Sequence, residues 1–324
     1  MSILGVKNLS VNYVTDQGDT LNAVEGVSFD LHEGKSMGIV GESGCGKTTL
    51  MLSLLRLLPS AGRIVNGQIL FEGQDLLRVT EADMSKVRWA KMAMVFQGAM
   101  NALNPVRTIE SQIVETILHH GIEKNKRNAL TRAGDLLEKV GLSPERGHQY
   151  PHQFSGGMKQ RAVIAMTLAC NPKIIIADEP TTALDVMIQA QIIRILKELQ
   201  VELNLTMVIV THDLGLVSEI CDEVIVMYGG MIAEYGTSEM IFHSPCHPYT
   251  KGLLKAFPDI NNPSAELTSI PGTPPRLDNL PPGCRFEPRC DYRWDLCREQ
   301  LPALVRTETG HIYACHLANR DKQP

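Results

Sequence analysis

At 324 residues the chain is long enough for one large domain with a small appendage, or for two modest domains. Its composition, 44% hydrophobic and 21% charged, is that of an ordinary globular protein. The formal net charge of -5 argues against a nucleic-acid-binding protein, which would usually carry a basic excess.

No apolar run in the sequence approaches the ~18 residues needed to cross a bilayer. The first ten residues, MSILGVKNLS, lack the charged-then-apolar layout of a secretory signal. We therefore expect a cytosolic protein, and any membrane role must come through a partner.

Residues 1 to about 255 alternate between predicted strands and helices. Apolar runs typical of buried strands lie at 37–40, 92–96, 173–177, 207–210 and 224–228. Helical spacing of apolar residues lies at 129–140 and 187–203. This alternation predicts an α/β fold with a largely parallel sheet.

A glycine-rich segment, Gly41-Glu42-Ser43-Gly44-Cys45-Gly46-Lys47-Thr48, fits the pattern G-x-x-x-x-G-K-[ST] between a strand and a helix. Backbone N–H groups of such a loop surround anionic oxygens, and the following helix N-terminus favours the same charge. Lys47 can reach the β- and γ-phosphates, and Thr48 can offer its hydroxyl to Mg²⁺. The predicted nucleotide contacts here are Gly41, Ser43, Gly44, Cys45, Gly46, Lys47, Thr48 and Thr49.

Two acids, Asp178 and Glu179, end the apolar strand predicted at 173–177. The carboxyl ends of parallel strands form the edge at which ligands bind in open α/β folds. Asp178 is predicted to hold the Mg²⁺ shell, and Glu179 to polarise the attacking water. Two solvated acids at a strand end would be the structural alternative, which the phosphate loop disfavours.

The segment Phe154-Ser155-Gly156-Gly157-Met158 resembles the signature of ATP-binding cassette (ABC) proteins, usually Leu-Ser-Gly-Gly-Gln. Phe154 and Met158 depart from that form, whereas the core at Ser155, Gly156 and Gly157 is intact. A hydroxyl and backbone amides at a helix N-terminus suit a γ-phosphate. Ser155 could also be a plain helix N-cap.

Further elements appear in the order that this family has. Gln97 matches the Q-loop, Ala183-Leu184-Asp185 the D-loop, His212 the switch histidine and Tyr13 the aromatic residue that stacks on adenine. The resemblance covers residues 3 to about 255 and identifies the chain as a member of the ABC family.

The resemblance implies a P-loop ATPase core with an antiparallel β portion and an inserted helical subdomain at about 98–157. It makes 1–257 the nucleotide-binding domain and 258–324 a linker with a cysteine-bearing extension. Glu179, His212 and Gln97 become the catalytic residues. The implied Mg²⁺ ligands are Thr48, Gln97 and Asp178.

The family also implies the partners. Two ATPase subunits close head to tail, and residues 155–157 and Asp185 of one contact the ATP held by the other. The second ATPase is expected to be a related but different chain, although a second copy is the alternative. Two membrane permease subunits and an extracytoplasmic solute-binding protein complete the transporter, and Gln97 passes motion to the permeases. We expect no nucleic-acid partner and a position at the cytoplasmic face of the membrane.

Nearly the whole chain is similar to dipeptide and oligopeptide importer ATPases. This similarity rests on Phe-Ser-Gly-Gly-Met-Lys-Gln-Arg at 154–161, on His-Pro-Tyr-Thr at 247–250 and on the cysteines of the tail. Seven prolines at 258–282 predict an extended linker. We expect a dipeptide or oligopeptide as the solute, and nickel or an oligosaccharide, which importers of this branch also carry, is the alternative.

Four cysteines crowd the tail: Cys284, Cys290, Cys297 and Cys315. In some members of the resembled family, four such cysteines hold a [4Fe-4S] cluster, which we expect here. It would fix the extension without touching the ATP site. The spacings C-x5-C, C-x6-C and C-x17-C do not themselves distinguish a cluster from Zn²⁺. Free thiols or a disulfide remain alternatives.

Other classes of ATP-binding protein fit the sequence less well than an ABC transporter ATPase. DNA-repair ABC ATPases insert long coiled coils between phosphate loop and signature, an interval of only about a hundred residues here. Translation-factor types carry two cassettes, and a P-loop kinase would lack the signature, Asp185 and His212 in this order. A catalytically dead subunit is disfavoured by the presence of Lys47, Asp178, Glu179 and His212.

Overall fold

The computed structural model describes residues 2–15, 17–98, 102–182, 184–256 and 269–318. The β-strands are β1 Ser2–Val14, β2 Thr20–His32, β3 Ser36–Val40, β4 Gly62–Phe71, β5 Gln74–Asp75, β6 Met92–Val95, β7 Ile174–Asp178, β8 Thr206–Val210, β9 Glu223–Tyr228, β10 Met231–Thr237, β11 Val305–Arg306 and β12 Ile312–Tyr313. The α-helices are α1 Lys47–Leu54, α2 Glu81–Val87, α3 Ile109–His119, α4 Lys126–Lys139, α5 Gly156–Thr167, α6 Val186–Leu203, α7 Leu214–Ile220, α8 Ser238–His243, α9 Pro248–Lys255 and α10 Asp295–Glu299. Within these described ranges, no helix is both long and apolar enough to cross a membrane.

The chain forms two compact units, each assembled from separate stretches of sequence. Unit 1 comprises Met1–Ser2, Leu31–Ser36 and Arg78–Val210. Unit 2 comprises Ile3–Asp30, Met37–Leu77 and Thr211–Pro324. The predicted boundary at 257/258 and the linker residues 258–268 lie outside the described residues, and 269–282 contain no helix or strand.

Unit 2 contains the antiparallel β portion near the N-terminus. Its four strands lie in the order β2-β1-β4-β5. Strands β1 and β4 run antiparallel, with Leu4 opposite Phe71 and Tyr13 opposite Gly62. Because apolar side chains alternate with polar ones along β2, one face of this sheet is buried and the other is solvated.

The second sheet of unit 2 is extended by strands from the C-terminal tail. Strands β3 and β9 are parallel, and β9 forms an antiparallel hairpin with β10. Strand β12 then pairs antiparallel with β10, with Glu234 opposite Tyr313, and β11 pairs with β12. The tail is therefore built onto the edge of the core sheet.

Unit 1 has a three-stranded parallel sheet in which β7 lies between β6 and β8. Each residue of these strands is buried, as expected for strands covered on both faces. Helices α3, α4 and α5 pack against one another beyond the sheet. The α/β class with an antiparallel portion is therefore confirmed, and α3 and α4 lie within the stretch predicted as helical.

The helices form where the apolar periodicity places them. Helix α4 buries Ala129, Ala133, Leu136 and Leu137 and is capped by the side chain of Asn125. Helix α6 buries a stripe of Ile and Leu side chains along one face. Capping satisfies N–H groups that the first turn leaves without partners, which defines where α4 and α6 begin.

Candidate functional site

The phosphate loop, residues 41–48, connects β3 to α1 within unit 2. Gly41 and Gly46 have φ angles of 150° and 102°. A Cβ atom at Gly41 would lie 2.3 Å from the carbonyl oxygen of Met227, and one at Gly46 would lie 2.3 Å from that of Ala23. Only glycine therefore fits either position. No side chain caps α1, so its first N–H groups are available to an anion.

The ammonium group of Lys47 is folded onto its own loop. Its Nζ donates hydrogen bonds to the carbonyl oxygens of Gly41, at 2.6 Å, and Glu42, at 3.0 Å. Lys47 is 8% exposed, so a nearly dehydrated positive charge is held inside the loop. Burial raises the pKa of the Cys45 thiol, although Lys47 opposes the rise, and this cysteine packs as a neutral apolar group. Ser43, Gly44 and Thr48 are exposed on the opposite side.

Two other predicted residues lie near this loop. The hydroxyl of Tyr13, on β1, is 3.4 Å from Oγ1 of Thr49 on α1. The backbone N–H of Thr211 donates to the carbonyl of Ile39, at the end of β3. His212 follows directly and is exposed, so it lies at the strand end that leads into the phosphate loop.

Unit 1 holds the predicted carboxylates at the end of β7. Asp178 is buried, with 2% of its surface exposed. Glu179 has a φ of 49°, a left-handed conformation that costs a non-glycine residue about 1 kcal/mol. Its backbone N–H donates to the carbonyl of Val210, which anchors this strained position to β8.

The structure brings Gln97 and Glu179 together. Nε2 of Gln97 donates to Oε2 of Glu179 at 2.8 Å, although the two residues are 82 positions apart. The hydroxyl of Thr182 donates to the same oxygen, also at 2.8 Å. Two hydrogen bonds thus orient one carboxylate oxygen. Thr182 was missed from the sequence, although its position three residues after Glu179 is the available signal.

The signature residues begin helix α5. Oγ of Ser155 accepts a hydrogen bond from the N–H of Met158 at 3.3 Å, so this serine is an N-cap. Ser155 and Gly156 are exposed, whereas Gly157 is buried. A Cβ at Gly157 would lie 2.6 Å from Cγ2 of Ile188, which explains why this position is glycine. Phe154 is 5% exposed, so an apolar side chain such as Phe or Leu is suited to this position.

The predicted D-loop residue Asp185 also caps a helix. Its Oδ1 accepts from the N–H of Ile188 at 3.0 Å at the start of α6. Ile188 therefore contacts both the signature and the D-loop, and the two segments are held together in unit 1. Ala183 lies outside the described residues.

The four tail cysteines line one apolar cavity in unit 2. They surround it with Phe286, Trp294 and other side chains. Backbone N–H of Cys284 donates to the carbonyl of Cys297 at 2.8 Å. Burial, with further contributions from the other cysteines, raises the pKa of Cys284 to about 12, and burial raises that of Cys315 to about 11. Burial therefore favours the neutral thiol form of Cys284 and Cys315.

A second group of possible ligands lies near the tail. Within the described residues, one set of three His, Cys, Asp or Glu ligand atoms lies within 4.8 Å of one another, and it is Glu234, Cys246 and His311. None of the four tail cysteines belongs to this set.

The set at Glu234 is already occupied by hydrogen bonds. Oε1 of Glu234 accepts from the N–H of Cys246 at 2.6 Å, and Oε2 from that of His247 at 3.1 Å. Nε2 of His311, in the tail, lies 2.7 Å from Oε1. Glu234 is fully buried, so this carboxylate is an internal anchor for the tail.

The tail also contacts the phosphate loop, contrary to the expectation that the extension stays clear of the ATP site. The guanidinium of Arg289 donates to both carboxylate oxygens of Glu42, at 2.6 and 3.0 Å. Strand β12 brings the tail onto the same sheet from which the loop leaves, which explains how these residues meet. Neither residue carried a sequence signal for this contact.

The chain resembles known proteins along nearly its full length. Residues 24–182 match the family model described as ABC transporter, and residues 233–297 match that described as oligopeptide/dipeptide transporter, C-terminal region. The dipeptide transport ATP-binding protein DppD of Bacillus subtilis is 47% identical over 98% of this chain and 95% of its own length. The DppD protein of Escherichia coli is 45% identical over 98% and 97%, respectively.

The chain is also similar to solved structures of bacterial ABC transporter cassettes. A dimeric bacterial ABC transporter cassette is 28% identical, with a TM-score of 0.64, over 72% of this chain and 98% of that one. The same kind of cassette in a post-hydrolysis state with ADP and phosphate gives a TM-score of 0.65 at 27% identity.

Proposed function

The chain belongs to the ABC transporter family, in the branch of dipeptide and oligopeptide transport ATP-binding subunits, and from this premise we propose that it hydrolyses ATP to drive peptide import across a membrane. Its relatives carry dipeptide or oligopeptide transport in their names. The observation that carries the proposal is that similarity extends through both the ATP-binding region and the C-terminal region of that branch.

In unit 2 the phosphate loop binds the triphosphate. Lys47 is already buried in the loop and needs only to exchange carbonyl partners for phosphate oxygens, a charge-assisted contact. The uncapped N–H groups of α1 face the same negative charge. Tyr13 stacks on adenine, since its ring lies close to the start of α1. His212 contacts the γ-phosphate as the switch residue.

In unit 1 Glu179 orients and polarises the attacking water. The hydrogen bonds from Gln97 and Thr182 support this role, because they fix one oxygen of the carboxylate in place. Thr48, Gln97 and Asp178 are proposed as Mg²⁺ ligands, since oxygen donors are what this ion prefers. Held by these residues, Mg²⁺ would neutralise part of the negative charge of the triphosphate.

The proposal includes partner subunits. Ser155 and Gly156 are exposed, which leaves them open to a nucleotide held by a second, related ATPase subunit. Gly157 and Asp185 support that surface through Ile188. Two permease subunits and an extracytoplasmic binding protein complete the importer. The chain then acts at the cytoplasmic face of the membrane.

The test is ATP hydrolysis by the assembled transporter. We expect the isolated chain to be a poor ATPase, because residues 155–157 must arrive from a partner. We expect activity to rise in vesicles that contain the permeases and the second ATPase, and to rise further with peptide-loaded binding protein. The Lys47→Ala complex is the control and should show neither rise.

Two results would contradict this proposal. Full-rate hydrolysis by the isolated chain at nanomolar concentration would exclude the shared site. Stimulation by nickel or an oligosaccharide, but not by any peptide, would keep the transporter and reject peptide as its solute.

We further propose that Cys284, Cys290, Cys297 and Cys315 hold a [4Fe-4S] cluster with a structural role. The fit is supported by their convergence on one cavity, since four cysteine thiolates are the ligand set that such a cluster takes. Cysteine ligation to such a group fastens the tail at four points, as small units without a large core usually require.

The cluster is tested by anaerobic purification with iron, sulfide and visible absorption measurements. Roughly four irons per chain are expected, with loss when any of the four cysteines becomes serine. Cys170→Ser, a buried cysteine of unit 1, is the matched control and should retain the iron. One zinc without sulfide would replace the cluster with a zinc site, and an anaerobic preparation without metal would refute both.

A further inference from the structure

The side chain of Glu42, the second residue of the phosphate loop, is held by a residue of the tail. Arg289 is 8% exposed and forms a two-pronged ion pair with the Glu42 carboxylate. Paired N–H···O bonds of this kind set orientation as well as distance. Because both groups are largely shielded from water, the pair is screened much less than a surface salt bridge.

The backbone of Glu42 is held at the same time. Its N–H donates to the hydroxyl of Tyr249, on α9, at 2.9 Å. Its carbonyl accepts from Nζ of Lys47 at 3.0 Å. The side chain, N–H and carbonyl of one loop residue are therefore each bonded to a different group. Two of these three partner groups, those of Arg289 and Tyr249, belong to residues C-terminal to 240.

Arg289 is itself firmly placed. Its Nε donates to the carbonyl of Pro271 at 2.8 Å, and its guanidinium also reaches the hydroxyl of Tyr228 at 3.3 Å. Phe286 packs against both Tyr228 and Tyr249, with ring centroids 5.3 and 5.4 Å apart. The guanidinium of Arg289 is therefore held in a fixed position beside the phosphate loop, and the aromatic residues packed around it help to fix that position.

We propose that Arg289 is a positioning residue for ATP binding. By holding the side chain of Glu42 in place, it restrains the conformation of the phosphate loop before ATP binds. Glycine-rich loops lose conformational freedom when they bind, and a contact that restrains the loop beforehand lowers that cost. Arg289 also neutralises a carboxylate that would otherwise repel the phosphates. The nucleotide affinity of this ATPase therefore depends on its C-terminal extension. This inference rests on the proposed ATP-binding function.

The test is direct titration of ATP onto the full chain. Arg289→Ala is expected to weaken ATP binding on the order of tenfold, the size of a coupling between linked sites. Arg289→Lys, which keeps the charge but not the paired hydrogen bonds, should recover part of the loss. In the assembled transporter the KM for ATP should rise with little change in kcat, since Arg289 touches no reacting atom.

Glu42→Gln distinguishes restraint of the loop from neutralisation of the Glu42 charge, and it is the second variant should Arg289→Ala fold poorly. Restraint of the loop by the ion pair predicts weaker ATP binding in Glu42→Gln, because the ion pair is lost. Charge repulsion alone predicts tighter binding, because a negative group is removed. Arg298→Ala is the control within the same extension, because Arg298 pairs with Glu287 rather than with the loop; its affinity should equal that of the unaltered chain.

Equal affinity in the unaltered chain and in Arg289→Ala would overturn this inference alone. Tighter ATP binding by Glu42→Gln would show that restraint of the loop by the ion pair does not support ATP affinity. An unaltered chain that binds no ATP would overturn the proposed function, and this inference with it.

Discussion

Glu179→Gln is expected to abolish ATP turnover while ATP binding is retained. The substitution removes the carboxylate that polarises water, a loss on the order of 10²-fold or more in kcat. Glutamine keeps an oxygen that can accept from Gln97 and Thr182, so the local geometry should persist. Hydrolysis is measured in the assembled transporter, and nucleotide affinity by titration.

The matched control is Glu198→Gln, which changes an exposed carboxylate paired with Arg194 on α6. Surface pairs of this kind contribute little, so its turnover should match that of the unaltered chain. The Glu179→Gln complex should also accumulate as a closed ATP-bound pair. Near-normal hydrolysis by this variant would show that another group activates the water.

Lys47→Ala is expected to weaken ATP binding itself by about 10- to 100-fold, as removal of a hydrogen bond to a charged group implies. The lysine contributes in two ways. Its ammonium contacts phosphate in the bound state, and in the free loop it ties the carbonyls of Gly41 and Glu42 together. Alanine removes both contributions, and isothermal titration of ATP measures the sum.

Lys139→Ala serves as the comparison, since Lys139 is a helix-surface lysine paired with Glu202 in unit 1. Its removal lowers the positive charge of the chain equally without touching the phosphate loop. Unchanged affinity in Lys47→Ala, or an equal decrease in both variants, would refute the assignment of Lys47.

Much of the architecture could be predicted from short stretches of sequence. The apolar runs 37–40 and 207–210 became strands β3 and β8, and the periodic stretch 187–203 became helix α6. These features depend on backbone propensity and on which face is apolar, and both are properties of neighbouring residues. The phosphate loop was recognisable for the same reason, because glycine, lysine and threonine must stand at fixed offsets.

Contacts between segments that are far apart in the sequence could not be predicted from local residue patterns. The hydrogen bond between Gln97 and Glu179 spans 82 positions, and only family resemblance associated the two residues with one site. Thr182 joined them because the strained backbone at Glu179 turns the chain back on itself. A lone glutamine or threonine is otherwise indistinguishable from many surface residues.

The pairing of the tail with the phosphate loop shows this limit most clearly. The sequence was sufficient to identify the nucleotide loop and the carboxylate strand, because each is encoded within about ten consecutive residues. It was sufficient to identify the family because several such short motifs occur in a fixed order. Arg289 and Glu42 are 247 positions apart, and each is an ordinary charged residue in its own segment. They become partners only once β12 joins the sheet beside β10 and the tail lies next to the loop, and the buried charge of Arg289 must find an opposite charge.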